Sequence, residues 1–148
     1  MSASGSDTLP VEVREATPDD RGFIVQAWLR GYQRSPEVEV LTGPEYSPAQ
    51  RDLINRILAR GQAWIIFNRE IPTQYFGFVV SERDSTLEVA VVHWVYVKKE
   101  FRDLGLARAL LLRATGAAKT IYYTHRAPRR ADEEKLRKRG ARFNPYLR

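Results

Sequence analysis

Phosphate chemistry has one strong signal in this 148-residue chain, the segment Arg102-Asp103-Leu104-Gly105-Leu106-Ala107, which follows an apolar run ending at Val97. A strand that turns tightly into a helix leaves the first N–H groups of that helix unpaired and aims the positive end of its dipole at the turn. Both features suit an anion. Gly105 lets the backbone approach a phosphate where a Cβ would obstruct it, and Arg102 adds a full positive charge. The bare pattern Arg-x-x-Gly-x-Ala is common and a structural turn explains most instances. Its place between a long apolar strand and an amphipathic helix makes it informative.

Proton chemistry has few carriers. The chain has no cysteine, so a thiol nucleophile, a disulfide framework and a thiolate zinc site are excluded, and its two histidines, His93 and His125, stand too far apart for a local metal motif. His93 precedes Val95 by two, and regular strand alternation puts both on one face. An imidazole with a pKa of about 6.5 suits deprotonation of an ammonium nucleophile, directly or through water. A buried histidine that satisfies a backbone carbonyl is the equal alternative. Glu88, on the opposite face, is the other candidate base.

The elements that would position these groups follow one another with short connections. Val11 to Ala16 alternates as a first strand, and Thr17-Pro18-Asp19-Asp20 reads as a helix start, with a cap, proline at the first position and acids in the first turn. That helix runs to about Tyr32. The segment from Gly31 to Ser47 has no sustained period and reads as a long loop. A second helix opens at Ser47-Pro48 and stops at Gly61. Ala63 to Phe67 and Tyr75 to Ser81 form antiparallel strands around a turn containing Pro72, and Glu82 to Ser85 turns again. Thr86 to Lys98, dense in Val, Trp and Tyr, is the central strand, buried on both faces. Leu106 to Ala114 is a helix of strong helix formers. Ile121 to Thr124 is a strand, Ala131 to Arg139 a charged helix ended by Gly140, and Ala141 to Leu147 a last strand. This order predicts an α/β domain with a single mixed, mostly antiparallel sheet of about six strands flanked by about four helices.

The loop from Arg102 to Ala107 resembles the acetyl-CoA-binding motif of the GNAT superfamily of N-acetyltransferases, Arg-x-x-Gly-x-Gly/Ala, and the order of elements resembles that family over almost the whole chain. The resemblance implies acetyl-CoA (CoA) as cofactor and transfer of its acetyl group to a primary amine. It lays the pantetheine arm along the fourth strand at Val95, Tyr96 and Val97, with the Val95 N–H polarising the developing oxyanion. The pyrophosphate would take N–H groups from Leu104, Gly105, Leu106 and Ala107, beside Arg102 and Arg108, and Arg126 would reach the nucleotide end with Arg129 and Arg130. His93 would lie near the thioester, at a place where some members carry a catalytic histidine. Two departures stand out. Asp103 occupies a position where the family often has Gly, and Leu136 replaces the tyrosine that commonly protonates the departing thiolate. Tyr122, Tyr123 and Tyr146 are substitutes by residue type, with core packing the competing role. The acceptor loop would be the stretch from Gly31 to Tyr46, where Tyr32, Glu37, Glu39, Glu45 and Tyr46 could hold a cationic amine. The sequence leaves no room for the seventh strand that usually completes the acceptor side.

Composition sets the outer bounds. An apolar content of 43% over 148 residues supports one core, expected from 11 to 148 behind a disordered tail at 1–10. No run approaches a membrane span, and the N-terminus does not read as a signal peptide, which predicts a soluble, cytoplasmic monomer or homodimer. The formal net charge of +6 fits an anionic cofactor. It also fits a non-catalytic module that uses a basic face around Lys135, Arg137, Lys138 and Arg139 toward nucleic acid or another polyanion, the less favoured alternative. The acceptor itself, small molecule or protein, is not legible.

Overall fold

A computed structural model describes residues 9–32, 43–126 and 130–148. Six strands form one sheet in sequence order: β1 (Val11–Glu15), β2 (Gln62–Asn68), β3 (Tyr75–Asp84), β4 (Val89–Val97), β5 (Thr120–Tyr123) and β6 (Arg142–Phe143). The first three pairings are antiparallel, and β4–β5 and β5–β6 are parallel. Among the described residues four α-helices accompany them: α1 (Arg21–Tyr32), α2 (Gly43–Arg60), α3 (Leu106–Thr115) and α4 (Arg130–Lys138).

Strand alternation sorts the apolar side chains into two cores. On one face, Ile24 and Trp28 of α1 and Ile54 and Ile57 of α2 pack on Ile65, Phe67, Phe78, Val80 and Trp94. On the other, Leu106, Leu110 and Ala114 of α3 pack on Ile66, Val79, Val92, Val97 and Tyr123, with Leu136 of α4 beside them. The first core is tied down at its start by a buried carboxylate. Asp20 accepts two bonds from Arg14 (2.7 and 3.1 Å), one from the Tyr75 hydroxyl and one from the Thr17 N–H. The Arg14 guanidinium, opposed by burial, therefore holds Asp20 well below the usual carboxylate range.

Several boundaries differ from the sequence expectation. The second helix begins at Gly43, so Pro48 lies inside it. β3 continues through the polar residues to Asp84, because Arg83 and Asp84 find partners in Ala90 and Val89. The turn follows instead at Asp84, whose side chain accepts the N–H groups of Thr86 and Leu87. The final strand contracts to two residues, because Pro145 cannot donate to a ladder and Asn144 turns the chain by accepting the Tyr146 N–H.

Candidate active site at the fork between β4 and β5

β4 and β5 pair only over Val89–Val92 and Thr120–Tyr123, and the Thr124 N–H makes one more bond to the Val92 carbonyl (3.1 Å). Beyond that point β4 continues to Val97 with no strand beside it on that edge among the described residues. A β-bulge accompanies the parting. Val80 pairs with Trp94 and Ser81 with Val92, so His93 is passed over in the ladder. A bulge of this kind bends its strand and re-aims side chains. The Lys98 N–H donates to the Phe76 carbonyl. By ladder alternation, Tyr96 turns its polar backbone to β3, while Val95 and Val97 turn theirs to the open edge. The Tyr96 side chain packs with the α1–α2 core.

The open edge leads straight into the helix N-terminus. Lys99–Phe101 make a short 3-10 turn, Asp103 adopts φ 65° and Gly105 φ 82°, and α3 begins at Leu106. The first bond that closes α3 runs from the Ala109 N–H to the Gly105 carbonyl (3.1 Å). The N–H groups of Leu106, Ala107 and Arg108 therefore have no partner within the helix, and Gly105 at the cap position has no side chain to bond them. A Cβ built on Gly105 would meet nothing within 4 Å, so the loop is open on the side to which that Cβ would point. That cradle fits a pyrophosphate. Arg102 keeps its positive charge at the loop while anchoring it. Its Nε donates to the Val97 carbonyl (3.0 Å), which fastens the loop to the end of β4. Asp103 and Leu104 are exposed, and the Lys98 ammonium sits over the Phe23 ring (5.7 Å).

His93 does not share a face with Val95. The bulge turns it with Trp94 toward the α1–α2 side, where Nε2 lies 2.6 Å from Glu82 and Nδ1 lies 2.9 Å from the Thr124 hydroxyl. Glu82 is also bonded by Arg60 at the end of α2 (3.0 Å). The same Thr124 hydroxyl meets His125 Nδ1 (2.9 Å), and His125 Nε2 meets the Tyr32 hydroxyl (2.7 Å). Tyr32, Thr124, His93 and His125 are all buried. Burial lowers both imidazoles from their ordinary range. For His93 the nearby Glu82 opposes the shift, whereas for His125 the charge of Arg148 reinforces it. Burial alone would raise Glu82, but its bonds from His93 and Arg60 bring it below the ordinary range.

No protein-family model matches the sequence, and no curated protein matches it in sequence. Solved structures do match in shape. An acetyltransferase of GNAT family from Staphylococcus aureus Mu50 superposes with a TM-score of 0.60 at 15% identity, over 88% of this chain and 83% of its own. A provisionally assigned acetyl transferase from Pyrococcus furiosus gives 0.67 at 18%, over 88% and 91%. A Corynebacterium glutamicum protein described as histone acetyltransferase HPA2 and related acetyltransferase gives 0.63 at 18%, over 88% and 83%. The chain has the GNAT fold.

Within the GNAT fold, the structure brings together some of the residues singled out in the sequence and separates others. Val95, Val97, Arg102 and the donors from Gly105 to Arg108 line one continuous path. Glu88 is remote from it. That residue sits in the exposed turn before β4 at φ 55°, paired with Lys119 (3.2 Å), five residues from His93 along the strand. Tyr123 is 2% exposed in the α3-side core, and its hydroxyl accepts a bond from Arg137 (3.3 Å). Arg126 lies over the Phe143 ring (5.3 Å), and Tyr146 is 93% exposed. Tyr32 is fully buried against Trp94 (ring centroids 5.2 Å apart), in the α1–α2 core and not on an open loop. Glu37, Glu39, Arg129 and the tail at 1–8 lie outside the described residues. Tyr46 falls in the first turn of α2, and Glu45 beside it. Glu82, Thr124 and His125 had no signal in the sequence, because no local spacing links them.

Proposed function

We propose that the protein is an acyltransferase that moves an acetyl group from acetyl-CoA to a primary amine. One observation supports this reading: an open β4 edge, created where β5 parts from it, runs directly into a helix N-terminus whose first three N–H groups have no partner within the helix, behind a Gly105 whose Cβ position is open. Strand-like amides of a pantetheine arm suit the first feature and a pyrophosphate suits the second. Val95 and Val97 would hold the arm, Leu106, Ala107 and Arg108 the phosphates, and Arg102 would keep the two halves in register. Bound acetyl-CoA supplies an activated thioester. The Val95 N–H, directed to the open edge, would donate to the carbonyl oxygen as negative charge develops on it.

Calorimetric titration with acetyl-CoA tests the reading, with saturable heat expected in the micromolar range. Absence of heat at millimolar cofactor, together with salt-sensitive retention on a polyanion column, would instead favour the basic α4 face as the working surface. Among the described residues no helix is long and apolar enough to cross a membrane.

A further inference from the structure

The five side chains from Tyr32 to Glu82 form one hydrogen-bonded line with a fixed direction. Glu82 is bonded by Arg60 (3.0 Å) and by His93 Nε2 (2.6 Å), and an ionised carboxylate only accepts. His93 must then carry its hydrogen on Nε2, which leaves Nδ1 as an acceptor for the Thr124 hydroxyl (2.9 Å). Having donated there, Thr124 accepts from His125 Nδ1 (2.9 Å), and His125 Nε2 accepts from the Tyr32 hydroxyl (2.7 Å). Every link holds one hydrogen, and each points toward Glu82.

The surroundings preserve that order. Tyr32 and Thr124 are fully buried and His93 and His125 nearly so, while the Glu82 side chain is 28% exposed, so the line runs from the core to the surface. The charged groups on its neighbours are Arg60 from α2, Glu82 from β3 and Arg148, whose Nε donates to the Thr124 carbonyl (2.8 Å). The rings of Trp28, Trp94 and Tyr32 enclose His125 at 5.3 to 5.9 Å. Beside the inner end, the Trp28 Nε1–H is buried without a partner among the described residues. That leaves a donor for a bound acceptor's lone pair to satisfy. Thr124, the middle of the line, is the residue whose N–H makes the last bond across the β4–β5 fork.

We propose that this line is a proton relay that takes up the proton released by the attacking amine at Tyr32 and stores it at Glu82, then returns it along the same path. The proposal rests on the acetyl-transfer reading. Tyr32 passes its hydrogen to His125 as it receives one from the amine nitrogen. His125 passes its Nδ1 hydrogen to Thr124, Thr124 passes its own to His93 Nδ1, and His93 passes its Nε2 hydrogen to the Glu82 carboxylate. The C–S bond breaks as the C–N bond forms, and the thiolate leaving with the bond's electron pair recovers the proton by the reverse sequence. Each imidazole thus ends in the tautomer in which it began, with no ring rotation in the core. A group that serves both as base and as acid also removes the need for the last-helix tyrosine that Leu136 replaces.

Nitrogen-15 NMR of the full chain, free of cofactor, tests the relay. The expected spectrum at neutral pH shows His93 protonated on Nε2 and His125 on Nδ1. In Glu82→Gln both rings should shift toward mixed tautomers, including His125, which does not touch residue 82. In Thr124→Val, a near-isosteric break, His93 should keep its tautomer and His125 lose its preference. The reverse tautomers in the wild type, or a His125 indifferent to both substitutions, would overturn the proposal. Thiol release from acetyl-CoA with a mixture of simple primary amines tests its part in transfer. Tyr32→Phe should lower kcat about tenfold at unchanged acetyl-CoA affinity, and an unchanged kcat would refute that part. A wild type that neither binds acetyl-CoA nor releases thiol refutes the acetyl-transfer reading instead, and the tautomers then decide whether the line exists.

Discussion

Asp103 and Gly105 both take left-handed backbone angles in the loop before α3, and they meet that demand differently. Gly105 has no Cβ, and the position one would take is open. Gly105→Ala should cost about 1 kcal/mol of stability from its φ and add a methyl group to the proposed phosphate loop. Titration should therefore show acetyl-CoA affinity reduced tenfold or more in a protein that still folds. Asp is among the few other residues that tolerate the left-handed region, which explains how this chain departs from the usual Gly without losing the turn. Beside a bound pyrophosphate its charge would be unfavourable. Asp103→Asn keeps the conformational tolerance and should tighten acetyl-CoA by about threefold to tenfold at low salt, with a smaller gain at 0.5 M salt. At this scale the sequence revealed the loop because its signal is local, a glycine beside a helix start. The relay was hidden because Tyr32, Glu82 and His125 are brought to His93 only by folding.

The β3–β4 pair is the element on which the site depends. Its register slips by one residue between Val80 and Ser81, which leaves His93 outside the ladder and turns it away from Val95. Alternation counted along the sequence assumes an uninterrupted pleat, so a bulge reverses every inference about faces beyond it. The apolar composition of β4 showed that a central strand existed and concealed this irregularity. The polar end of β3 likewise read as a turn because cross-strand partners, not local propensity, keep Arg83 and Asp84 extended. Close approach of the two strands depends on Gly77, where a Cβ would stand 2.1 Å from the Tyr96 carbonyl oxygen. Backbone cannot swing aside as a side chain can. Gly77→Ala should destabilise the protein by about 3 kcal/mol, and denaturant unfolding should show this in the midpoint.

For the whole molecule, buried titratable groups set a sensitivity to acid. The pKa values of His93 and His125 are lowered in the fold, burial being the largest cause in both, whereas in the unfolded chain they titrate at about 6.5. At about pH 6 the unfolded state therefore binds more protons than the folded state. Stability is full above about pH 6.5 and falls below it, with a slope of at most about 2.7 kcal/mol per pH unit for two protons. Asp20 and Glu82, both held below the usual carboxylate range, contribute above about pH 4 and are lost only under stronger acid. The urea midpoint should be lower at pH 5.5 than at pH 8, and equal midpoints would contradict the lowered imidazole pKa values. The open edge of β4 has a consequence of another kind. A strand amide without a ladder partner exchanges its hydrogen with solvent far faster than its neighbours do. The Val95 amide should exchange quickly in the free protein while Tyr96, bonded into β3, is protected. A pantetheine arm that pairs with β4 would slow Val95 selectively, so its exchange rate reports cofactor occupancy before any acceptor is known.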